Sequence, residues 1–369
     1  MDFVLQQKEV VCRTLFSWHL YSAPRDTHME YSATPESGIS PLRIMNIACA
    51  FYESSVLLTS VSLGIFKALA KAPGSSTSAV AGQCGLDAEK TRLLLDACVA
   101  LELAKKEGDG YSNSDEASQY LVSGSPTDLS QALMYNRDVF PAWTNLEELI
   151  KTGKPVDNPE AHLGRDPQRT QAFARAMHAR VLSIGRGVIP LLDFGGCSKI
   201  LDIGGGTGAY ASLITAANPG INCTVLDLPR IIDAAPALHA GSPDSNRITF
   251  IADDYHTASF PGDNDVILIF GVLHQEHPEA VASILSRSAA ALKPGGRIYI
   301  MDMMTDGSRT QPKFSALFAL NMALTTQHGW VFSSEDLEKW LRDAGFSQYK
   351  CQPLPDPLPH WLARANRKS

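Results

Sequence analysis

The sequence has no Cys-x-x-Cys pair, no internal repeat, no low-complexity tract and no excess of basic residues. Its seven cysteines, Cys12, Cys49, Cys84, Cys98, Cys197, Cys223 and Cys351, are odd in number and unpatterned. That excludes a disulfide framework or a cysteine zinc site and fits a reducing cytoplasm. The formal net charge is −7, opposite to the balance expected of a general nucleic-acid binder. No unbroken run of about 18 apolar residues occurs, so no transmembrane helix is expected. The opening "MDFVLQQKEVVCRTLFSWHLYSAP" lacks the apolar stretch of a secretory leader.

What is present suits a soluble globular chain of two domains: 369 residues, 44% hydrophobic and 19% charged. Met29 precedes a Ser/Pro-rich stretch, "YSATPESGISP", and residues 1–40 are expected to extend outside the main fold. From residue 41, Leu42, Met45, Ile47, Phe51, Leu57 and Leu58 recur at three-to-four spacing, which predicts amphipathic helix. "STSAVAGQCG" and "LDAEKTRLLLDACVALELAKK" predict two short helices, the second N-capped by Asp87. "LAKKEGDGYSNS" predicts a hairpin about Gly-Asp-Gly. Helix, helix, hairpin over 41–125 is a winged-helix pattern. The second helix carries Asp87, Glu89, Lys90, Arg92 and Asp96, charges that nearly cancel, whereas a phosphate-binding face needs a positive excess. A dimerising role is expected there, and no nucleic-acid or membrane partner. Residues 126–195 read as helices with polar joins.

At residue 196 the pattern changes to alternating strands and helices, continuing to 369. Seven strands are predicted: "KILDIG", "NCTVLDL", "RITFIAD", "DVILIFGVL", "GRIYIMDM", "YKCQPL" and "HWLARA". Several are apolar almost throughout, as strands covered on both faces must be. Helices are expected between the first six. Only "PDPLP" joins the last two, too short for a crossover, so these pair antiparallel. The expected fold is α/β: a mostly parallel Rossmann-like sheet with a reversed C-terminal hairpin, the class I methyltransferase architecture.

"ILDIGGGTGAY" places Gly204, Gly205 and Gly206 between a strand and a helix, where glycine lets backbone approach a ligand. Alone, this loop also suits NAD. Asp227 ends the next strand, 23 residues beyond Gly204, where a carboxylate accepts both ribose hydroxyls of an adenosine. Leu228 follows it. Asp254 ends the third strand and would reach the adenine amino group, with Tyr255 packing on the ring. Asp202, just before the glycines, lies near the expected amino group of a methionine. The ligand implied is S-adenosylmethionine.

With these motifs, "VLHQEHPEA" and "LKPGGRIYIMDM", the chain from about residue 40 to 365 resembles the caffeic acid and acetylserotonin O-methyltransferase family, bacterial small-molecule members included. The resemblance implies a dimerising winged-helix domain followed by a methyltransferase domain, hence a homodimer. It implies that His274 is a general base and that Asp302 orients it. It implies an acceptor pocket touched by Phe173 and Met177, by Asn321 and Met322 after the fifth strand, and by Trp143. A mostly apolar pocket suits a hydroxylated aromatic or polyketide-like acceptor. The chain departs from the family at His274-Gln275-Glu276, usually His-Asp-Trp, at Asp253 in place of glycine, and at Val331 in place of an acid.

Three other readings remain open at this point. One is an NAD dehydrogenase. Another is a ligand-sensing winged-helix regulator. The third is a methyltransferase-like protein that uses S-adenosylmethionine for other chemistry. A metal at His274 and His277 would need further ligands that the stretch does not supply, so none is expected. His277-Pro278 reads instead as a helix entry.

Overall fold

The structure, a computed structural model, describes residues 39–124, 127–158, 165–240, 245–355 and 358–368. Most of the expected extension, residues 1–38, and part of the last connector lie outside the described residues. The chain divides into two units, Met1–Tyr52 and Glu53–Ser369.

The described part of the first unit is the helix Leu42–Cys49 and the start of Phe51–Ser62. Leu42, Ile44, Ile47, Phe51 and Tyr52 are all exposed. The 21-residue stretch Leu42–Ser62 contains an 18-residue window of mean hydropathy 1.4 and is by length and composition apolar enough to cross a membrane. The segment is not an unbroken apolar run, since Arg43, Asn46 and Glu53 interrupt it. Glu53 and five hydroxyl residues, Ser54, Ser55, Thr59, Ser60 and Ser62, lie among the apolar residues of its second half. A single helix of this kind is weak grounds for a membrane.

The second unit begins with the predicted small domain. Helices Ile65–Lys71, Thr77–Cys84 and Ala88–Ala100 pack on a sheet of β1 (Ser75–Ser76), β2 (Ala104–Glu107) and β3 (Gly110–Asn113), in the order β1-β3-β2. Asp87 caps its helix by accepting from Lys90 N at 2.9 Å. The charges of that helix are spent internally: Asp96 takes Arg92 at 2.9 Å and Lys106 at 2.8 Å. Helices Ser130–Trp143, Leu146–Thr152 and Pro167–Val188 follow. The second ends where Gly153 takes a left-handed φ of 67°. The third begins with Asp166 as N-cap and Pro167 in its first turn.

Seven strands then form one sheet: β4 (Lys199–Ile203), β5 (Asn222–Asp227), β6 (Ile248–Ala252), β7 (Asn264–Phe270), β8 (Leu292–Asp302), β9 (Phe346–Pro353) and β10 (Trp361–Arg367). The order is β6-β5-β4-β7-β8-β10-β9. β10 runs antiparallel to both neighbours, and the other pairs are parallel. The apolar runs are explained by two separate cores. Leu201, Ile203, Ile267, Ile269, Ile298 and Ile300 point to one. Their alternates Ile200, Val266, Leu268, Phe270, Tyr299 and Met301 point to the other. Full burial of each aliphatic chain stabilises by roughly 1.5–3 kcal/mol, so a charge on either face of these strands would be costly. One expectation fails: β6 and β7 are joined by the turn-rich loop 253–263, not a helix. Asp253, Asp254, Pro261, Gly262 and Asp263 are turn formers that leave too few residues for a helical stretch.

The sheet reverses direction of growth between β4 and β7. Chain leaving adjacent strands there goes to opposite faces, and a crevice opens above their C-terminal ends. The glycine loop follows β4 and His274 follows β7, so both reach this crevice.

Candidate active site

A cavity of about 260 Å³ lies over the crevice. Its floor is the glycine loop. Gly204 has φ +67° and a Cβ there would meet Val272 Cγ2 at 2.4 Å; Gly206 has φ +61° and opens to free space. Neither position tolerates a side chain without strain. Asp227 holds the loop: its carboxylate accepts from Gly206 N and from Leu228 N, both at 2.7 Å. Thr207 is held from the other side. His178 Nδ1 bonds Thr207 Oγ1 at 2.8 Å and His239 Nε2 bonds Thr207 O at 2.6 Å. Burial, then the neighbouring His239, pushes His178 down to about 4, so this link is neutral.

Beneath the loop Asp202 is 1% exposed, and neither carboxylate oxygen has a partner among the described residues. Burial, then Asp227, raises its pKa to about 7, and burial raises Asp227 to about 6. Two carboxyl groups facing one cavity, the deeper without a donor, call for a ligand that brings positive charge.

At the other wall, β8 ends with Asp302, and parallel pairing of Phe270 with Met301 places Gly271 beside it. Gly271 takes φ +69° and bonds Met301 O. The chain thereby turns back, and a single 3₁₀ turn, Leu273–Gln275, brings His274 over Asp302. Nδ1 of His274 lies 2.6 Å from Asp302 Oδ1. The same carboxylate accepts Met303 N at 2.8 Å and His274 N at 3.2 Å. A carboxylate can only accept, so Nδ1 carries the proton and Nε2 is left as an acceptor. Asp302 is fully buried while the His274 side chain keeps 12% exposure. The imidazole edge packs against Phe318 at 5.3 Å.

Family models match at two places: an O-methyltransferase dimerisation domain over residues 45–123 and an O-methyltransferase domain over residues 155–347. The chain belongs to the O-methyltransferase family.

Among relatives of this O-methyltransferase is the tetracenomycin polyketide synthesis 8-O-methyl transferase of Streptomyces glaucescens. It is 30% identical over 330 residues, 88% of this chain and 97% of the relative. The 3-hydroxy-5-methyl-1-naphthoate 3-O-methyltransferase of Streptomyces sahachiroi is 28% identical over 88% of this chain and 95% of its own. The crystal structure of human N-acetylserotonin methyltransferase in complex with S-adenosylmethionine superposes with a TM-score of 0.81. It is 26% identical and covers 92% of this chain and 100% of that one. The chain is an S-adenosylmethionine-dependent enzyme, and its site fits that molecule. The glycine cradle admits backbone-close contact, and the unpartnered Asp202 suits an ammonium group.

Of the residues singled out in the sequence, His274, Asp302, Asp202, Gly204, Gly205, Gly206, Asp227, Leu228, Tyr255, Phe173, Met177 and Met322 all line the cavity. Three do not. Asp254 turns to His256, 2.7 Å away. Trp143 Nε1 donates to Asn321 Oδ1 at 2.9 Å, so those two brace the wall from behind. Further wall residues were not singled out in the sequence: Tyr135, Arg180, Tyr210, Phe318 and His360. For Arg180 a signal existed, since residues 173, 177, 180 and 184 fall on one helix face.

The departure at Glu276 also has a structural account. Glu276 is 5% exposed, yet both oxygens are bonded, to Tyr255 OH at 2.6 Å and to His256 Nε2 at 2.8 Å. His256 bridges on to Asp254. Burial alone would lower the imidazole; bonds to Glu276 and Asp254 carry it upward instead. The chain Tyr255–Glu276–His256–Asp254 thus fixes the Tyr255 side of the cavity. Trp330, whose Nε1 donates to Glu276 O at 2.7 Å, covers it.

Proposed function

We propose that this enzyme moves the methyl group of S-adenosylmethionine to a hydroxyl of a small aromatic or polyketide-like acceptor, with His274 as general base and Asp302 as its orienting partner. The observation that carries the reading is the 2.6 Å His274–Asp302 pair opening on the cavity that also holds the glycine loop. Asp202, Gly204, Gly205, Gly206, Asp227 and Leu228 would hold the donor, with Tyr255 against its adenine. When bound, the donor supplies an electrophilic methyl group on a sulfonium. His274 Nε2 accepts the acceptor's hydroxyl proton as the oxygen becomes a nucleophile, and Asp302 stabilises the resulting imidazolium. Positioning of two reactants in one enclosed site supplies the rest. The step needs no metal ion, because the imidazole itself takes the proton. Phe173, Met177, Phe318 and Met322 give the acceptor end an apolar surface suited to aromatic rings. The relatives named for a naphthoate and for a tetracenomycin support that class. Incubation with S-adenosylmethionine and a panel of phenols and naphthols, read by mass, tests the reading. A gain of one methyl group on a panel member is the expected result, and no gain on any member would count against it.

The charge balance of the site sets a pH dependence. The carboxyls of Asp202 and Asp227 sit at about 7 and about 6 in the free protein, above their ordinary value. A bound cation favours the ionised forms, so binding releases protons near neutrality. Donor affinity should therefore rise as pH increases through about 6 to 7. It should fall again above about pH 8, where the donor's own α-amino group loses its charge. Calorimetry in two buffers of different ionisation enthalpy reads the released proton directly; heats independent of buffer at neutral pH would contradict the assignment.

We further propose division of the chain at about residues 41–125, 126–195 and 196–369, and a twofold-symmetric homodimer formed through the first of these. The dimerisation-domain match at 45–123 and the exposed apolar side chains of Leu42, Ile44, Ile47 and Phe51 support it, since a second copy would cover such side chains. Light scattering at micromolar concentration should give the mass of a dimer, and a monomer's mass would overturn this. An intracellular location belongs to the same reading, supported by the six described cysteines, all free.

A further inference from the structure

The apolar acceptor end of the cavity contains one cation. Arg180 lies on the helix Pro167–Val188 on the same face as Phe173, Met177 and Ile184, and all four line the cavity. Two neighbouring arginines are saturated: Arg169 spans Asp138 at 2.9 Å and Asp157 at 2.8 Å, and Arg247 donates to three carbonyls. Among the described residues no carboxylate pairs with Arg180. The groups that feel its charge are Tyr135, Tyr210 and His360. Burial holds its pKa below the ordinary guanidinium value. A half-buried guanidinium without a carboxylate partner is open to a ligand that supplies one.

A second polar group faces the same end. His360 is 7% exposed and its Nδ1 has no partner among the described residues. It is brought there by register: β10 starts at Trp361 opposite Asp302, so the residue before it arrives where β8 leaves the sheet. Burial, then Arg180, pushes His360 down to about 3, so it is a neutral hydrogen-bonding group. It also feels Asp302 and His274, which puts Arg180 and the His274 pair around one end of the cavity. Toward the donor end, Tyr210 feels both Asp202 and Arg180.

Resting on the acceptor reading above, we propose that Arg180, with His360 beside it, binds a carboxylate of the acceptor, so that the preferred substrate is a hydroxyaryl carboxylic acid. Guanidinium and carboxylate match in a two-point geometry, and such a contact fixes which ring hydroxyl lies at His274. The other source of the same chemistry is the carboxylate at the amino-acid end of the donor.

The test is binding, so it needs no turnover. Wild-type, Arg180→Gln and Arg180→Lys enzymes, saturated with S-adenosylhomocysteine, are titrated with matched pairs: a hydroxybenzoate against phenol and a hydroxynaphthoate against its naphthol. Wild type should prefer the acid of at least one pair by about 10- to 100-fold, the range of a hydrogen-bonded charge contact. Arg180→Gln should erase that preference and leave the neutral phenol and S-adenosylhomocysteine within about twofold of wild type, and Arg180→Lys should restore part of the preference. No acid preference in any pair overturns the proposal, as does a preference that survives Arg180→Gln. Loss of S-adenosylhomocysteine affinity in Arg180→Gln, with an unchanged circular dichroism spectrum, assigns the arginine to the donor and also overturns it. Methylation of the neutral phenols without acid preference removes this inference alone; methylation of no phenol, neutral or acidic, removes the function proposed above.

Discussion

His274→Ala is expected to lower kcat by about 10²–10⁴-fold, the range of a positioned general base, with little change in S-adenosylhomocysteine affinity. The ring lies across the cavity from the glycine loop, so its loss leaves the donor's floor intact. Asp302→Asn should cost less. Oδ1 of Asp302 takes both His274 Nδ1 at 2.6 Å and Met303 N at 2.8 Å. An asparagine that keeps its carbonyl there satisfies both and preserves the tautomer with Nε2 open. Its amide would fall near His274 N, where the existing bond is the longer one at 3.2 Å. Orientation survives, while the negative charge that stabilises the imidazolium is lost. Turnover and calorimetry on the two variants separate these effects. Wild-type turnover in His274→Ala would reduce the histidine to a strand-end residue and leave proximity, or an acceptor already ionised, to carry the transfer.

Asp227→Ala should produce the largest effect on donor binding. Its carboxylate does two jobs. It faces the cavity where the ribose hydroxyls of the donor would lie, and it anchors Gly206 N and Leu228 N. Two buried hydroxyls left without an acceptor cost roughly 1–3 kcal/mol each. Affinity for S-adenosylhomocysteine should therefore weaken by about 30-fold or more. The freed Gly206 N–H adds to the loss, because the loop no longer has the bond that sets its curvature. Since β5 and the helices beyond it do not depend on this carboxylate, the variant should fold. Calorimetry showing unchanged affinity would remove Asp227 from the donor site.

How much of this was readable in advance depends on the range of the signal. The strands of the large sheet follow from apolar runs, because burial on both faces leaves a mark in every residue of a strand. The glycine loop and Asp227 are legible because their partners are near in sequence: a strand, a turn and a helix dictate the glycines locally. His277 as helix cap and Asp87 as another are local in the same way. The failures are of the opposite kind. The missing helix between β6 and β7 was inferred from the alternation of the rest, while its own residues are turn formers. Asp254 lies two residues past the end of its strand, Ile248–Ala252, and His256, itself tied to Glu276, draws its carboxylate away from the cavity. Trp143 and Asn321 are correctly placed on walls, but a bond across 178 residues of chain turns both from the pocket.

The fold class, the succession of strands along the chain and the glycine loop rest on hydrophobic period, backbone permissiveness and short-range order, which act over a few residues at a time. The pairing of His274 with Asp302 came only with the family resemblance. Only the tertiary structure decided what the cavity presents to its acceptor. His360 reaches it through the antiparallel register of β10 on β8. Arg180 reaches it because a helix preceding the sheet lays one face over the crevice. Glu276 is accommodated because Tyr255 and His256 come to it from the loop after β6. Electrostatics and hydrogen bonding between residues far apart in the chain have no period to read. Their consequences become visible only when folding has set the distances.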